Sequence, residues 1–180
     1  MAQDLSIHCE QAVDVSRIAD VVRRAYASVP YSDHREYVMV ERLRETTAYI
    51  PALSLLAEVA GEAVGHILLT RATIGSGHAA TPTLSLAPLS VVPEFQGRGI
   101  GRQLVFAAHR QAAELGFASI VLVGIASYYP QFGYEPLSRY PITLPFAAPE
   151  SECMILSLAP HSLQGVSGQV HYADGWLDHD

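Results

Sequence analysis

At 180 residues, 49% of them hydrophobic and 16% charged, the chain has the size and composition of one folded domain, which sets aside long disordered tails and any need for disulfides. Its formal charge of -7 disfavours nucleic acid and anionic membrane as partners, since both reward clustered basic residues, and suits a cationic or neutral small molecule better. No stretch approaches the ~20 apolar residues of a membrane span, and the start Met1-Ala2-Gln3-Asp4 has neither a basic segment nor an apolar run, so the expectation is a cytoplasmic protein.

Leu5, Ile7 and Cys9 alternate with polar residues and predict a short first strand. Asp14 is placed to cap a helix whose apolar positions Val15, Ile18, Ala19, Val22 and Ala25 recur at helical spacing. Pro30 and Ser32-Asp33 break it, and a second helix is predicted over 34–46 through Tyr37, Val38, Val40 and Leu43. The charges Glu41, Arg42, Arg44 and Glu45 read as its solvated face. Between the helices, Tyr31-Ser32-Asp33-His34 has two readings, substrate contact or capping of the second helix, and capping is the simpler.

From Ser54 the pattern changes to an antiparallel meander. Leu55, Ala57 and Val59 alternate, Gly61-Glu62 marks a tight turn, and a strand returns from Val64 through His66 and Ile67 to Ile74. A third strand, over 83–92, changes phase: Leu84 and Leu86 share one parity, Leu89 and Val91 the other. A shift of one residue at Ala87-Pro88 is what a β-bulge produces, and Pro88 lacks the N–H of a regular central ladder. The strand should bend there and leave backbone groups unpaired.

Residues 99–115 form the strongest helical pattern, with Ile100, Leu104, Ala107 or Ala108, Ala112 and Leu115 on one face, and Gly116 ends it. The run 119–125 is nearly all apolar and suits a strand buried on both faces. A short aromatic element from Tyr128 to Gly133, a Pro-rich connection and strands at 154–158 and 169–172 complete the chain. The part after about Pro145 reads as a C-terminal extension whose strand covers a sheet edge or contributes to a homodimer.

All eleven basic residues are Arg, which removes Walker-type phosphate lysines, Schiff-base chemistry and a pyridoxal phosphate anchor. Cys9 and Cys153 show no C-x-x-C spacing and read as reduced thiols, with no metal site among them. Between a strand and a helix, Gln96-Gly97-Arg98-Gly99-Ile100-Gly101 converges backbone N–H groups at a positive helix end, a site for an anion such as pyrophosphate. It is not a Walker loop, which ends in Gly-Lys-Ser/Thr. Nor is it the dinucleotide fingerprint, because the sixth position counted from Gly97 or Gly99 is Arg102 or Leu104. The plainer alternative is a tight connection with no ligand.

The segment Leu89-Ser90-Val91-Val92-Pro93-Glu94-Phe95-Gln96-Gly97-Arg98-Gly99-Ile100-Gly101-Arg102 resembles the coenzyme A signature of GNAT N-acetyltransferases, whose pattern Gln/Arg-x-x-Gly-x-Gly/Ala is met by Gln96, Gly99 and Gly101. The order of elements is also that of the GNAT fold, an α/β (α+β) architecture with a mixed, mostly antiparallel sheet flanked by helices. The resemblance implies that the backbones of Leu89, Ser90 and Val91 pair with the pantetheine arm of acetyl-CoA. It implies too that Gly97, Arg98, Gly99, Ile100, Gly101 and Arg102 hold the pyrophosphate, without a metal. The bulge at Ala87-Pro88 sits where that fold splays two strands to admit the arm, an extended ligand on open strand edges.

Tyr128-Tyr129-Pro130-Gln131-Phe132-Gly133-Tyr134 is similar to a second segment of the family and puts Tyr129 at its general-acid position, where a phenol protonates the departing thiolate. The alternative is that both tyrosines pack the core. The general base stays open among Glu58, His66, His78 and a water chain. Val40-Glu41-Arg42-Leu43-Arg44, Gly65-His66-Ile67, Tyr128-Tyr129 and Gly168-Gln169-Val170-His171-Tyr172 resemble the bacterial YhbS-like branch. Together these imply direct acetyl transfer to a primary amine of a small molecule or peptide, with the oxyanion held by a backbone N–H near Val91. Neither cysteine lies at a motif position, which argues against an acetyl-enzyme. A non-catalytic acyl-CoA-binding regulatory module is the rival, and a longer acyl group or a hydroxyl acceptor is a third reading.

Overall fold

A computed structural model describes residues 4–177; residues 1–3, which bear on the leader reading above, lie outside them. The first four strands are β1 (Leu5–Cys9), β2 (Ser54–Val59), β3 (Glu62–Ile74) and β4 (Thr81–Val91). They are followed by β5 (Ser119–Val123), β6 (Glu135–Pro136), β7 (Ile142–Thr143), β8 (Cys153–Ser157) and β9 (Gly168–His171). Three helices intervene: α1 (Val15–Tyr26) and α2 (Glu36–Arg44) between β1 and β2, and α3 (Ile100–Glu114) between β4 and β5. The sheet order is β1-β2-β3-β4-β5-β8-β6, antiparallel throughout the first four strands, with β5 joining β4 in parallel. This is the mixed, mostly antiparallel architecture expected.

Strand alternation sorts the core onto two faces. Leu55, Ala57, Ile67 and Leu69 pack with Leu104, Val105 and Ala108 of α3, whereas Leu56 and Leu68 pack with Ile18, Val22, Val40 and Leu43 of α1 and α2. β5 is buried from Ser119 to Leu122, as a strand covered on both faces should be.

Several local expectations are corrected. Asp14 stands at the start of α1, but its carboxylate does not cap that helix. It accepts from the Gln11 backbone N–H at 3.0 Å and from Arg17 Nη1 at 2.9 Å, closing the turn before the helix. α2 begins at Glu36 rather than 34 because His34 is left-handed (φ 61), held there by the Ser32 hydroxyl accepting the His34 N–H at 2.8 Å. Arg44 is not part of a solvated face: its Nε donates to Glu10, whose other oxygen takes the Ser54 hydroxyl. That charge is held inward by its pairing with Glu10, whose side chain is 4% exposed.

The last strand takes an edge left free by another. β2 leaves β3 at the pair Ser54–Leu68, and β9 pairs with the far end of β3 through Thr73–His171 and Ile74–Val170. β9 also pairs in parallel with β7, and a separate apolar cluster of Ile74, Val121, Ile142, Ile155 and Val170 lies beneath.

Candidate functional site

β4 and β5 pair only at Leu84–Ile120 and Ser85–Val121. The bulge follows at once: Leu86 faces Leu69 and Leu89 faces Ile67, so Ala87 and Pro88 together oppose the single residue Leu68. From there the two strands diverge around a cleft of about 810 Å³. Ala87, Pro88, Leu89 and Val91 line one wall, and Val123, Gly124 and Ile125 the other.

Backbone direction along β4 decides what this wall offers. The Val92 N–H donates to Val64 O at 2.9 Å, and Ser90 stands opposite His66, so these alternate residues turn toward β3. Leu89 and Val91 turn the other way. The Leu89 carbonyl accepts the Tyr26 hydroxyl at 3.2 Å and the Val91 carbonyl accepts Gln96 Nε2 at 2.9 Å. Both carbonyls are thereby satisfied, and the N–H groups of the same two residues are left to face the cleft. Ser90, named with its neighbours as a pantetheine contact, does not line the cleft, and its hydroxyl is buried.

The glycine turn closes one end. Gly97 (φ 73) and Gly99 (φ 80) are left-handed, and Gly99 caps α3, whose first N–H groups have no intrahelical acceptor. At Gly101 a Cβ would stand 3.0 Å from the Tyr128 hydroxyl, so a larger residue there would press on the tip of that side chain. Gly97, Gly99, Ile100, Gly101 and Arg102 all line the cleft, with Gln96 beside them. Arg98 does not: its guanidinium lies 4.7 Å from the Phe95 ring centre and donates to the Glu94 carbonyl at 2.8 Å, on the outside of the turn.

The aromatic turn Tyr129–Phe132 closes the other wall. Tyr128 and Tyr129 are adjacent in sequence yet serve different ends of the cleft. Tyr128 brings its hydroxyl to the start of α3. Tyr129 lies under Gly124, where a Cβ would fall 2.5 Å from its Cε2, and packs against Tyr134 with ring centres 5.6 Å apart. Burial raises the Tyr129 phenol well above its ordinary pKa, and the phenols of Tyr26, Tyr128 and Tyr31 push it the same way. It therefore stays protonated, as a proton donor must.

None of the side chains considered as general base lines the cleft. His66 is wholly buried on the α1–α2 face, with Nε2 2.9 Å from Ser54 Oγ; burial, and secondarily Arg44, hold its pKa down to about 3. Glu58 accepts from Arg17 Nη2 and lies 3.3 Å from His8 Nε2 near the outer edge of the sheet. His78 is exposed in the turn between β3 and β4.

α1 and α2 themselves supply residues that sequence reasoning passed over. Tyr26, Glu36 and Met39 line the cleft with Tyr31, which is 79% exposed at its rim. In Tyr31-Ser32-Asp33-His34, Tyr31 lines the cleft, whereas Ser32 and Asp33 accept the backbone N–H groups of His34 and Arg35 ahead of α2, and no side chain caps that helix. Among the described residues no cluster of three metal-ligating side chains occurs, and no helix is long and apolar enough to cross a membrane.

Residues 17–134 match the Acetyltransferase (GNAT) family. The uncharacterized N-acetyltransferase YjhQ of Escherichia coli K12 is 34% identical over 173 residues, spanning 94% of this chain and 92% of that protein. Among solved structures, the GNAT family N-acetyltransferase YhbS of Escherichia coli in complex with CoA superposes with a TM-score of 0.86 at 26% identity, over 98% of this chain and 93% of that one. A GNAT family acetyltransferase of Brucella melitensis in complex with acetyl-CoA gives 0.79 at 29% identity, over 96% and 97% of the two chains.

Proposed function

The chain belongs to the GNAT acetyltransferase family, and from that premise we propose that it transfers the acetyl group of acetyl-CoA to a primary amine of a small molecule or peptide by direct attack. The CoA and acetyl-CoA bound in the two similar structures support the donor. The observation that carries the reading is the pairing of cleft-facing N–H groups on Leu89 and Val91 with the buried, protonated Tyr129 across the gap.

The pyrophosphate is held by the turn at Gly97, Gly99 and Gly101, with the Arg102 side chain beside it. Pantetheine lies along β4, and the thioester carbonyl takes a hydrogen bond from the N–H at Leu89 or Val91. The neutral amine attacks the carbonyl carbon, the C=O pair moves to oxygen, and those N–H groups stabilise the oxyanion. On collapse the C–S bond breaks and the thiolate sulfur takes the Tyr129 proton. The ammonium loses one proton to solvent at the Tyr31 rim before attack, since none of Glu58, His66 and His78 lines the cleft, and the second proton, shed by the nitrogen after attack, returns the Tyr129 phenolate to the phenol through solvent.

Tyr129→Phe keeps the ring and removes the proton. Turnover with an accepted amine should fall by roughly 10²- to 10⁴-fold, with acetyl-CoA affinity within about twofold of the unaltered protein. Thiol release measured across a panel of amines checks both halves. Unchanged turnover in the variant removes Tyr129 from the mechanism, and tight acetyl-CoA binding without thiol release for any amine favours the binding-module reading.

A further inference from the structure

The cleft carries one basic and one acidic side chain among its lining residues, and they belong to different ends. Arg102 stands in the first turn of α3, over the Phe106 ring and beside Tyr128, where the donor's phosphates are expected. Glu36 stands in the first turn of α2 with Tyr26, Tyr31 and Met39. One carboxylate oxygen of Glu36 accepts the Ser32 hydroxyl, which anchors the side chain beside the cleft.

Glu36 is tied to the reacting end through Tyr26. The Tyr26 hydroxyl donates to the Leu89 carbonyl on the open edge of β4, and the Glu36 charge adds to burial in raising the Tyr26 phenol. A carboxylate, a buried phenol and the β4 edge thus stand in succession at the end of the cleft away from the phosphates. The walls around them are apolar or aromatic, from Val29, Met39 and the rings of Tyr26, Tyr31 and Tyr129. Aromatic faces and a carboxylate both attract a cation. A second carboxylate beside that cation would meet Glu36 as a like charge, and among the described residues no basic side chain lines this end to receive it.

We infer that the acceptor is a primary ammonium on an apolar or aromatic stem with no carboxylate next to the nitrogen, and that Glu36 binds its charge. Glu36 is a recognition residue in this assignment: it holds the ammonium at the cleft mouth until the proton is lost. The inference rests on the acetyl-transfer reading for its donor half, and its own test is a binding measurement that needs no turnover.

Matched pairs decide it: phenethylamine against phenylalanine, tyramine against tyrosine, and isoamylamine against leucine, each titrated calorimetrically into the CoA-saturated protein. The amine of a pair should bind at least about tenfold more tightly than the amino acid. Glu36→Gln should weaken the amine by about ten- to a hundredfold, the range of one charge-assisted hydrogen bond, and leave CoA affinity unchanged. Amino acids binding as tightly as their amines, no amine binding at all, or an unaffected Glu36→Gln would each overturn the assignment. Should Glu36→Gln lack a native melting transition, the matched pairs on the unaltered protein decide alone. Amine binding without thiol release sinks acetyl transfer and leaves the recognition role standing.

Discussion

His66 sits in the middle of β3 with no solvent contact, and its neutral ring bonds Ser54. His109 of α3 is also held neutral, with Nε2 3.0 Å from the Tyr134 hydroxyl. Burial lowers the first to about 3 and the second to about 4, against an ordinary value near 6.5. In the window from about 6.5 down to about 3 the unfolded chain binds protons that the native protein refuses, so stability rises with pH there. The contribution is complete above about 6.5 and is lost as the solution is acidified toward the folded values. His66→Gln keeps a hydrogen-bonding group and removes one of the two titrations. Denaturant midpoints measured from pH 4 to 7 should therefore fall less steeply for the variant, and slopes that coincide with the unaltered protein would contradict the burial account. Such a histidine is recognisable in the sequence only as a strand residue with a convenient pKa; the face it occupies is set by the strand's pairing. Glu36 escapes notice for a related reason, because an acid in the first turn of a helix already has an explanation in the helix dipole.

At the level of elements, the cleft exists because β4 changes phase. The parity break between Leu86 and Leu89 is visible in sequence and survives as a two-against-one bulge, since a period-2 pattern cannot shift without an inserted residue. Which backbone groups the bulge frees is not visible, since that depends on the register with β3 and on the claims of Tyr26 and Gln96 on two carbonyls. The start of α2 was likewise hidden, being set by the left-handed His34. Gly124 illustrates a third kind of information. Its backbone has no need of glycine, but the turn Tyr129–Phe132 folds back so closely that Tyr129 occupies the space of a β-carbon. Gly124→Ala should push the ring off its position and lower kcat by at least about tenfold, on the scale at which small misplacements act. If that loss runs through the phenol, the double variant with Tyr129→Phe should be little worse than Tyr129→Phe alone. Multiplicative losses in kcat would show that Gly124 acts on something else.

For the molecule as a whole, the order of strands and helices is legible along the chain, because each element carries its own period and its own breakers. The pairing of β9 is not, because it depends on an edge of β3 that becomes free only when β2 departs at Leu68. That pairing converts the segment after Pro160 from an appendage into a part of the core. Leu163, Val166 and Val170 are buried against Ile74, Val121 and Ile155, and β9 covers backbone groups that would otherwise form an open edge. Burying three such side chains stabilises by about 5–9 kcal/mol at roughly 1.5–3 kcal/mol each, which rivals the entire stability of an ordinary domain. A chain ending at Pro160 keeps every cleft residue named above, from Tyr26 to Tyr129, yet should lose its cooperative melting transition and associate through the uncovered end of β3. Thermal melting followed by fluorescence, with size-exclusion chromatography of the same sample, measures both consequences. A monomer melting within a few degrees of the full chain would mean that β9 only decorates the sheet, and that the α1–α2 and α3 layers carry the fold without it.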